Sequence, residues 1–134
     1  MKKPILCLDF DGVLHSYTSG WKGAEIIPDP PVSGAIAFLY DAIMAFDVQI
    51  FSSRSHQAGG IYAMMDWIAQ HDREWTKAQI AANQPTPRTS LLLNITFPTE
   101  KPAAFLTIDD RAITFTGKWP TIETLRAFKP WNRP

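Results

Sequence analysis

Four carboxylates fall in two pairs at the ends of apolar runs: Asp9 and Asp11 after Ile5-Leu6-Cys7-Leu8, and Asp109 and Asp110 after Ala103-Ala104-Phe105-Leu106-Thr107-Ile108. Each unbroken run reads as a strand buried on both faces of a parallel sheet, and ligands of such sheets bind beyond the carboxyl ends of the strands. Side chains two residues apart on a strand project to the same side, so Asp9 and Asp11 can converge on one point while strand geometry lasts. Gly12 then lets the backbone turn away. Like charges this close repel unless a cation or a shared proton relieves them, which points to a metal site, an acid and base, or both. The competing reading makes Asp9 and Asp11 turn formers and Asp109 and Asp110 a cap or turn before Arg111. Two strands that both end in acids can place three or four carboxylates around one pocket. Such an all-oxygen set suits a hard cation such as Mg2+ better than zinc or copper, and no Cys or His cluster competes.

The segment Leu8-Asp9-Phe10-Asp11-Gly12-Val13-Leu14 resembles the first motif of the haloacid dehalogenase-like (HAD) superfamily, and Ile108-Asp109-Asp110 resembles its fourth. Val48-Gln49-Ile50-Phe51-Ser52-Ser53-Arg54 is similar to the second motif, an apolar strand ending in Ser or Thr. Lys101 in Thr99-Glu100-Lys101-Pro102 resembles the third, although the family commonly has a helix and more residues between this Lys and the acid pair. All four occur in the family's order and span residues 5 to 111. The acid at position 11 separates the chain from the dehalogenases of the superfamily, which lack one there, and from its ion pumps, which carry Thr. The resemblance therefore implies a small, capless, Mg2+-dependent phosphatase acting through an aspartyl phosphate.

In that reading Asp9 is the nucleophile, since a carboxylate can split one difficult displacement into two easier ones. Asp11 gives a proton to the leaving oxygen and then takes one from the attacking water. The resemblance implies Asp9, the Asp11 backbone carbonyl, Asp109 and Asp110 as metal ligands. Ser52 and Lys101 are the expected donors to the phosphoryl oxygens. Ser52 suits a helix N-cap as well, and the two roles are compatible at an anion-binding helix start; Ser53 is its substitute if the strand runs one residue longer. Arg54 and Arg111 each follow a motif directly, so they are expected at the pocket mouth, holding a second anionic group of the substrate or pairing with nearby acids. The triplet Asp109-Asp110-Arg111 also resembles the fourth motif of polynucleotide 3'-phosphatases of the superfamily, which brings nucleotides and nucleic-acid ends among the expected substrates. A metal-binding module without turnover and a phosphotransferase of the same fold are the alternatives.

Positioning these groups requires strands alternating with helices. The expected fold is α/β: a three-layer Rossmann-like arrangement with a central, mostly parallel sheet in a single domain over residues 1–134 and no large cap domain. Residues 12 to 30, rich in Gly and Pro, read as an irregular flap over the site that carries His15, Tyr17 and Trp21. Helical spacing predicts a helix from about Val32 to Phe46 and another through Ile61 to Ile68, with a third from Asp72 to Ala82. Strands are expected at Leu91 to Ile95 and Ala112 to Phe115, and a last helix at Thr121 to Phe128 with Pro120 in its first turn.

The 134 residues carry 13 basic and 13 acidic side chains, so net charge does not steer the chain toward nucleic acid, although six basic residues face three acidic ones from Lys101 onward. The single cysteine, Cys7, reads as a small core hydrophobe, and the absence of a disulfide partner suggests a reducing, cytoplasmic setting. Met1-Lys2-Lys3 precedes only a short apolar run, which reads as neither a signal peptide nor a membrane span.

Overall fold

The apolar run that ends at Asp9 becomes an inner strand of a sheet. In the computed structural model, which describes residues 2–133, Ile5–Leu8 forms β1, followed by α1 (Ala35–Ala45), β2 (Asp47–Ile50), α2 (Gly60–Ala81), β3 (Ile95–Thr96), β4 (Leu106–Ile108) and α3 (Ile122–Arg126). The strands pair in the order β3-β2-β1-β4, all parallel, with Leu8 in register with Ile50 on one side and Ile108 on the other. The chain builds outward from β1 to β3 and then returns to add β4 beside β1. The strand order thus reverses between β1 and β4, the kind of crevice in which open parallel sheets bind ligands.

One face of the sheet is sealed by helices. Leu6, Leu8, Val48 and Ile50, aligned by the register, pack in one cluster with Ile36, Leu39 and Ile43 of α1 and with Met64, Trp67 and Ile68 of α2. Both helices bury residues three and four apart, and these apolar stripes supply the core. They also touch each other: Tyr40 donates to Asp72 at 2.7 Å and stacks on Trp75. Because α1 and α2 share this face, the sheet has one layer of long helices instead of the two that a three-layer arrangement requires. Cys7, Gln49 and Thr107 mark the opposite face, and an irregular connection leads from β3 to β4. Lys101 of that connection comes close enough to offset partly the effect of burial, which pushes the Cys7 thiol up.

Several expected elements differ. The two helices predicted after Gly60 are one, because no Gly or Pro interrupts the run to Ala81, and Asp72 bonds Tyr40 instead of capping a new helix. Leu92–Asn94 is a 3-10 turn instead of a strand, since the Asn94 side chain bonds Ser90 O and Thr89 Oγ1 and competes with extended backbone. Ala112–Phe115 finds no partner strand and stays irregular. α3 is shorter than predicted and starts after Pro120, with Thr121 accepting from Thr124 N–H. β4 is exposed at every residue. Among the described residues no helix is long and apolar enough to cross a membrane.

Candidate metal and active site

Parallel pairing of β1 with β4 aligns Leu8 with Ile108, so the next residues, Asp9 and Asp109, leave the sheet side by side. Asp9 N–H donates to Ile108 O at 3.0 Å, which ties the two strand ends together at the point where the acids emerge. Oxygens of Asp9, Asp109 and Asp110 lie within 4.8 Å of one another. Asp109 Oδ1 accepts from Arg111 N–H at 2.8 Å, a local turn that leaves its other oxygen free. Asp110 turns inward: its side chain is 2 % exposed, and its Oδ2 is buried without a hydrogen-bond partner. Only the Arg111 guanidinium, with Nε 3.7 Å away and no hydrogen bond, offsets the charge of that oxygen, and three clustered acids remain costly unless a further cation joins them.

Asp9 reports the same strain electrostatically. Burial first, then the negative charge of Asp109 and a hydrogen bond to Asp110, push its carboxyl up to about 8, against the pull of Phe10 N–H, which donates to Oδ1 at 2.8 Å. The donor set, all carboxylate oxygen, suits a hard divalent cation.

Gly12 makes room for this geometry. Its φ of 81° is left-handed, and a Cβ on it would overlap Asp110 Oδ2. Gly12→Ala is therefore expected to force Asp110 out of the cluster and weaken divalent-cation binding at least about tenfold, with about 1–2 kcal/mol of backbone strain besides. Calorimetric titration with Mn2+ and a thermal melt check both effects; wild-type affinity in the variant would contradict them.

Asp11 lies outside the cluster. Its carboxylate takes Arg54 Nε on Oδ2 at 3.0 Å and Arg54 Nη2 on Oδ1 at 3.1 Å, and Oδ1 also accepts from His15 Nδ1 at 2.9 Å. The Asp29 N–H donates to His15 Nε2 at 3.1 Å, so the ring proton sits on Nδ1 and is directed to Asp11.

Arg54, expected at the pocket mouth, is instead wholly buried. Besides Asp11, it donates from Nη1 to the carbonyls of Gly23 and Ala24, each at 2.9 Å, and of Ile26 at 3.3 Å, and its plane lies 4.8 Å from the Trp21 ring centroid. Most of its donors pin the flap to Asp11, and the side chain has no exposed surface. His15 is likewise a packing and hydrogen-bonding residue, while Trp21 stays partly exposed over Arg54.

Ser52 sits at the carboxyl end of β2, buried, in a tight turn: its N–H donates to Ser55 Oγ at 3.0 Å and its Oγ accepts from Arg54 N–H at 3.2 Å. It is not hydrogen-bonded to any of the acids; Ser53 points outward. Lys101 is exposed and forms no ion pair among the described residues; its charge acts on the Cys7 thiol. Arg111 is half exposed, with Nε 3.7 Å from Asp110 Oδ2.

Sequence reasoning gave no role to Asp29, whose only signal was its place between Pro28 and Pro30. For the Trp131 tail the sequence offered docking alone, and the tail docks: Trp131 Nε1 donates to Gly12 O at 2.8 Å and Asn132 Nδ2 to Ser16 O at 2.9 Å, strapping the flap beside the acids.

Compared with known proteins, the chain matches no family model, no curated protein and no solved structure.

Proposed function

We propose that this chain is a Mg2+-dependent phosphomonoester hydrolase of the HAD type that works through an aspartyl phosphate on Asp9. The observation that carries the reading is the convergence of Asp9, Asp109 and Asp110 at the ends of two adjacent parallel strands, with one buried carboxylate oxygen that accepts no hydrogen bond. The order of the four motif-like segments supports it.

Asp9, Asp109, Asp110 and the Asp11 carbonyl would hold the cation, which when bound supplies positive charge to the phosphoryl oxygens and favours the ionised Asp9. The Asp9 carboxylate attacks phosphorus as the bond to the leaving oxygen breaks, and that oxygen receives its proton from Asp11. Water then attacks the phosphoenzyme, giving its proton to Asp11 and releasing phosphate and free Asp9. In the cation-free chain Asp11 accepts from Arg54 and His15, so its acid role requires it to take up a proton and release one of those bonds. Ser52 Oγ and Lys101 Nζ donate to the equatorial oxygens, and Arg111, exposed beside Asp110, is the anchor for a second anionic group of the substrate.

A chromogenic aryl phosphate tests the reading. Turnover is expected with Mg2+ and is expected to fall at least about a hundredfold in excess chelator. The clamp on Asp11 by Arg54 and His15 is the observation that favours a metal-binding module without turnover. No hydrolysis across sugar phosphates, mononucleotides and 3'-phosphorylated oligonucleotides would favour that alternative, and phosphate transfer to added alcohols would identify a phosphotransferase.

A pH dependence follows from Asp9. The folded chain holds this proton more tightly than the unfolded one does, so the stability it confers is complete below about pH 4 and lost as pH rises through about 8. In chelator, the melting temperature of the wild type relative to Asp9→Asn is expected to fall by roughly 5 °C or more between pH 5 and pH 8.5. Saturating Mg2+ reverses the fall, because ligand binding to the folded state alone stabilises it. Scanning fluorimetry checks this; parallel pH profiles for the two proteins would contradict it.

A further inference from the structure

Charge in this chain is polarised although it sums to zero. Residues 111–133 hold five of the 13 basic residues and one, Glu123, of the 13 acidic ones, so this segment carries +4 and residues 1–110 carry −4. The same segment leaves its aromatic rings in water: Trp119 is 86 % exposed, Trp131 60 % and Phe115 57 %. Phe115 and Trp119 lie against each other with ring centroids 4.8 Å apart. The Trp131 indole is held by Gly12 O on the loop that follows Asp9 and Asp11.

Two depressions join Phe115 and Trp119 to Arg111. One, of about 210 Å³, begins at Arg111 beside Asp110; the other, of about 860 Å³, extends to Lys118 and Trp119, and Ile113 and Leu125 line both. An apolar surface this continuous marks a binding face. Its occupant is decided by charge: a second copy of the chain in a two-fold contact would set one positive segment against another, which electrostatic complementarity opposes. Exposed aromatic faces between Arg111 at one end and Lys118 at the other match the bases and phosphates of a single strand, since every base offers a π-face and every linkage a negative charge.

We propose that residues 111–133 form a binding surface for single-stranded nucleic acid that runs from Lys118 and Trp119 to Arg111 at the edge of the acidic cluster. That the surface presents a phosphorylated strand end to Asp9 rests on the phosphatase reading above; binding itself does not. The test is fluorescence anisotropy of the full chain with labelled oligothymidylate and oligouridylate of about twelve nucleotides across a salt series. Both oligonucleotides or one of them bind at low salt, the two arms telling DNA from RNA. Trp119→Ala weakens binding about tenfold or more, and Lys118→Ala lowers the slope of log affinity against log salt by about 0.7. Trp119 is so exposed that its removal leaves the fold and the hydrolysis of a small aryl phosphate unchanged.

Absence of binding at low salt, or variants that bind like the wild type, would overturn the proposal. So would a dimer in sedimentation velocity that Trp119→Ala dissolves, since self-association would then own the face. Loss of oligonucleotide binding alone, with aryl phosphate turnover intact, refutes the surface and spares the phosphatase. Binding by a chain that hydrolyses no phosphate does the reverse.

Discussion

Asp9→Asn is expected to lower turnover of an aryl phosphate by at least about 10³-fold, about 4 kcal/mol of transition-state stabilisation, while leaving the fold intact. The amide matches the carboxyl in shape, and its oxygen still accepts the hydrogen bond from Phe10 N–H. What disappears is the charge and the nucleophilic oxygen. In the cation-free protein that loss is favourable, because Asp9 is buried against Asp109 and Asp110 and its carboxyl is raised to about 8. The variant should therefore melt at or above the wild-type temperature in chelator at pH 8.5 and yet be inert. A residue that merely supports the structure would lose activity and stability together, so the opposite movement of the two is diagnostic. Activity within about tenfold of the wild type would remove Asp9 from the chemistry.

Arg54→Ala has the largest expected effect on stability. Its guanidinium has no exposed surface, pairs with both oxygens of Asp11 and satisfies three carbonyls of the flap, at Gly23, Ala24 and Ile26. Removing it leaves the Asp11 carboxylate and those carbonyls without their partner in a largely dry environment. Deletion of one member of a buried pair destabilises by about 3–5 kcal/mol, a large share of the 5–15 kcal/mol typical of a folded domain. Urea unfolding should show a midpoint lowered accordingly. Arg54→Lys is expected to recover little, since one ammonium cannot fork to Asp11 and reach the flap carbonyls at the same time. A loss below about 1 kcal/mol in Arg54→Ala would mean that the flap is not held by this residue.

The difference between Asp9 and Arg54 also marks what could be seen in the sequence. Asp9 and Asp109 were legible because a local signal placed them: an unbroken apolar run ending in acid specifies a strand and its edge, and β1 took the bounds of its run, Ile5–Leu8. The α1 stripe was legible for the same reason, since Ile36, Leu39 and Ile43 recur at helical spacing. Arg54 was not, because an arginine after a strand reads as surface. Its burial depends on carbonyls some thirty positions away in the flap, an arrangement without periodicity. The run Ala103 to Ile108 misled in a different way. Apolarity predicted a strand there, and β4 formed, but coverage is a property of neighbours, and β4 lies at the sheet edge with Leu106 and Ile108 open to solvent. The flap, too, was recognisable as irregular, while its anchorage by Ser16 N–H to Pro30 O at 3.0 Å, Val32 N–H to Leu14 O at 2.8 Å and the docked Trp131 was not.

The most direct measurement is chemical trapping of the phosphoenzyme. During turnover of an aryl phosphate with Mg2+, borohydride reduces an acyl phosphate to the alcohol, and peptide mass spectrometry locates the modified residue. Conversion of Asp9 to homoserine, dependent on substrate and cation and absent when Asp109 is replaced by Asn, is the predicted result. Steady turnover with Asp9 unmodified, or with the label on another carboxylate, would contradict it.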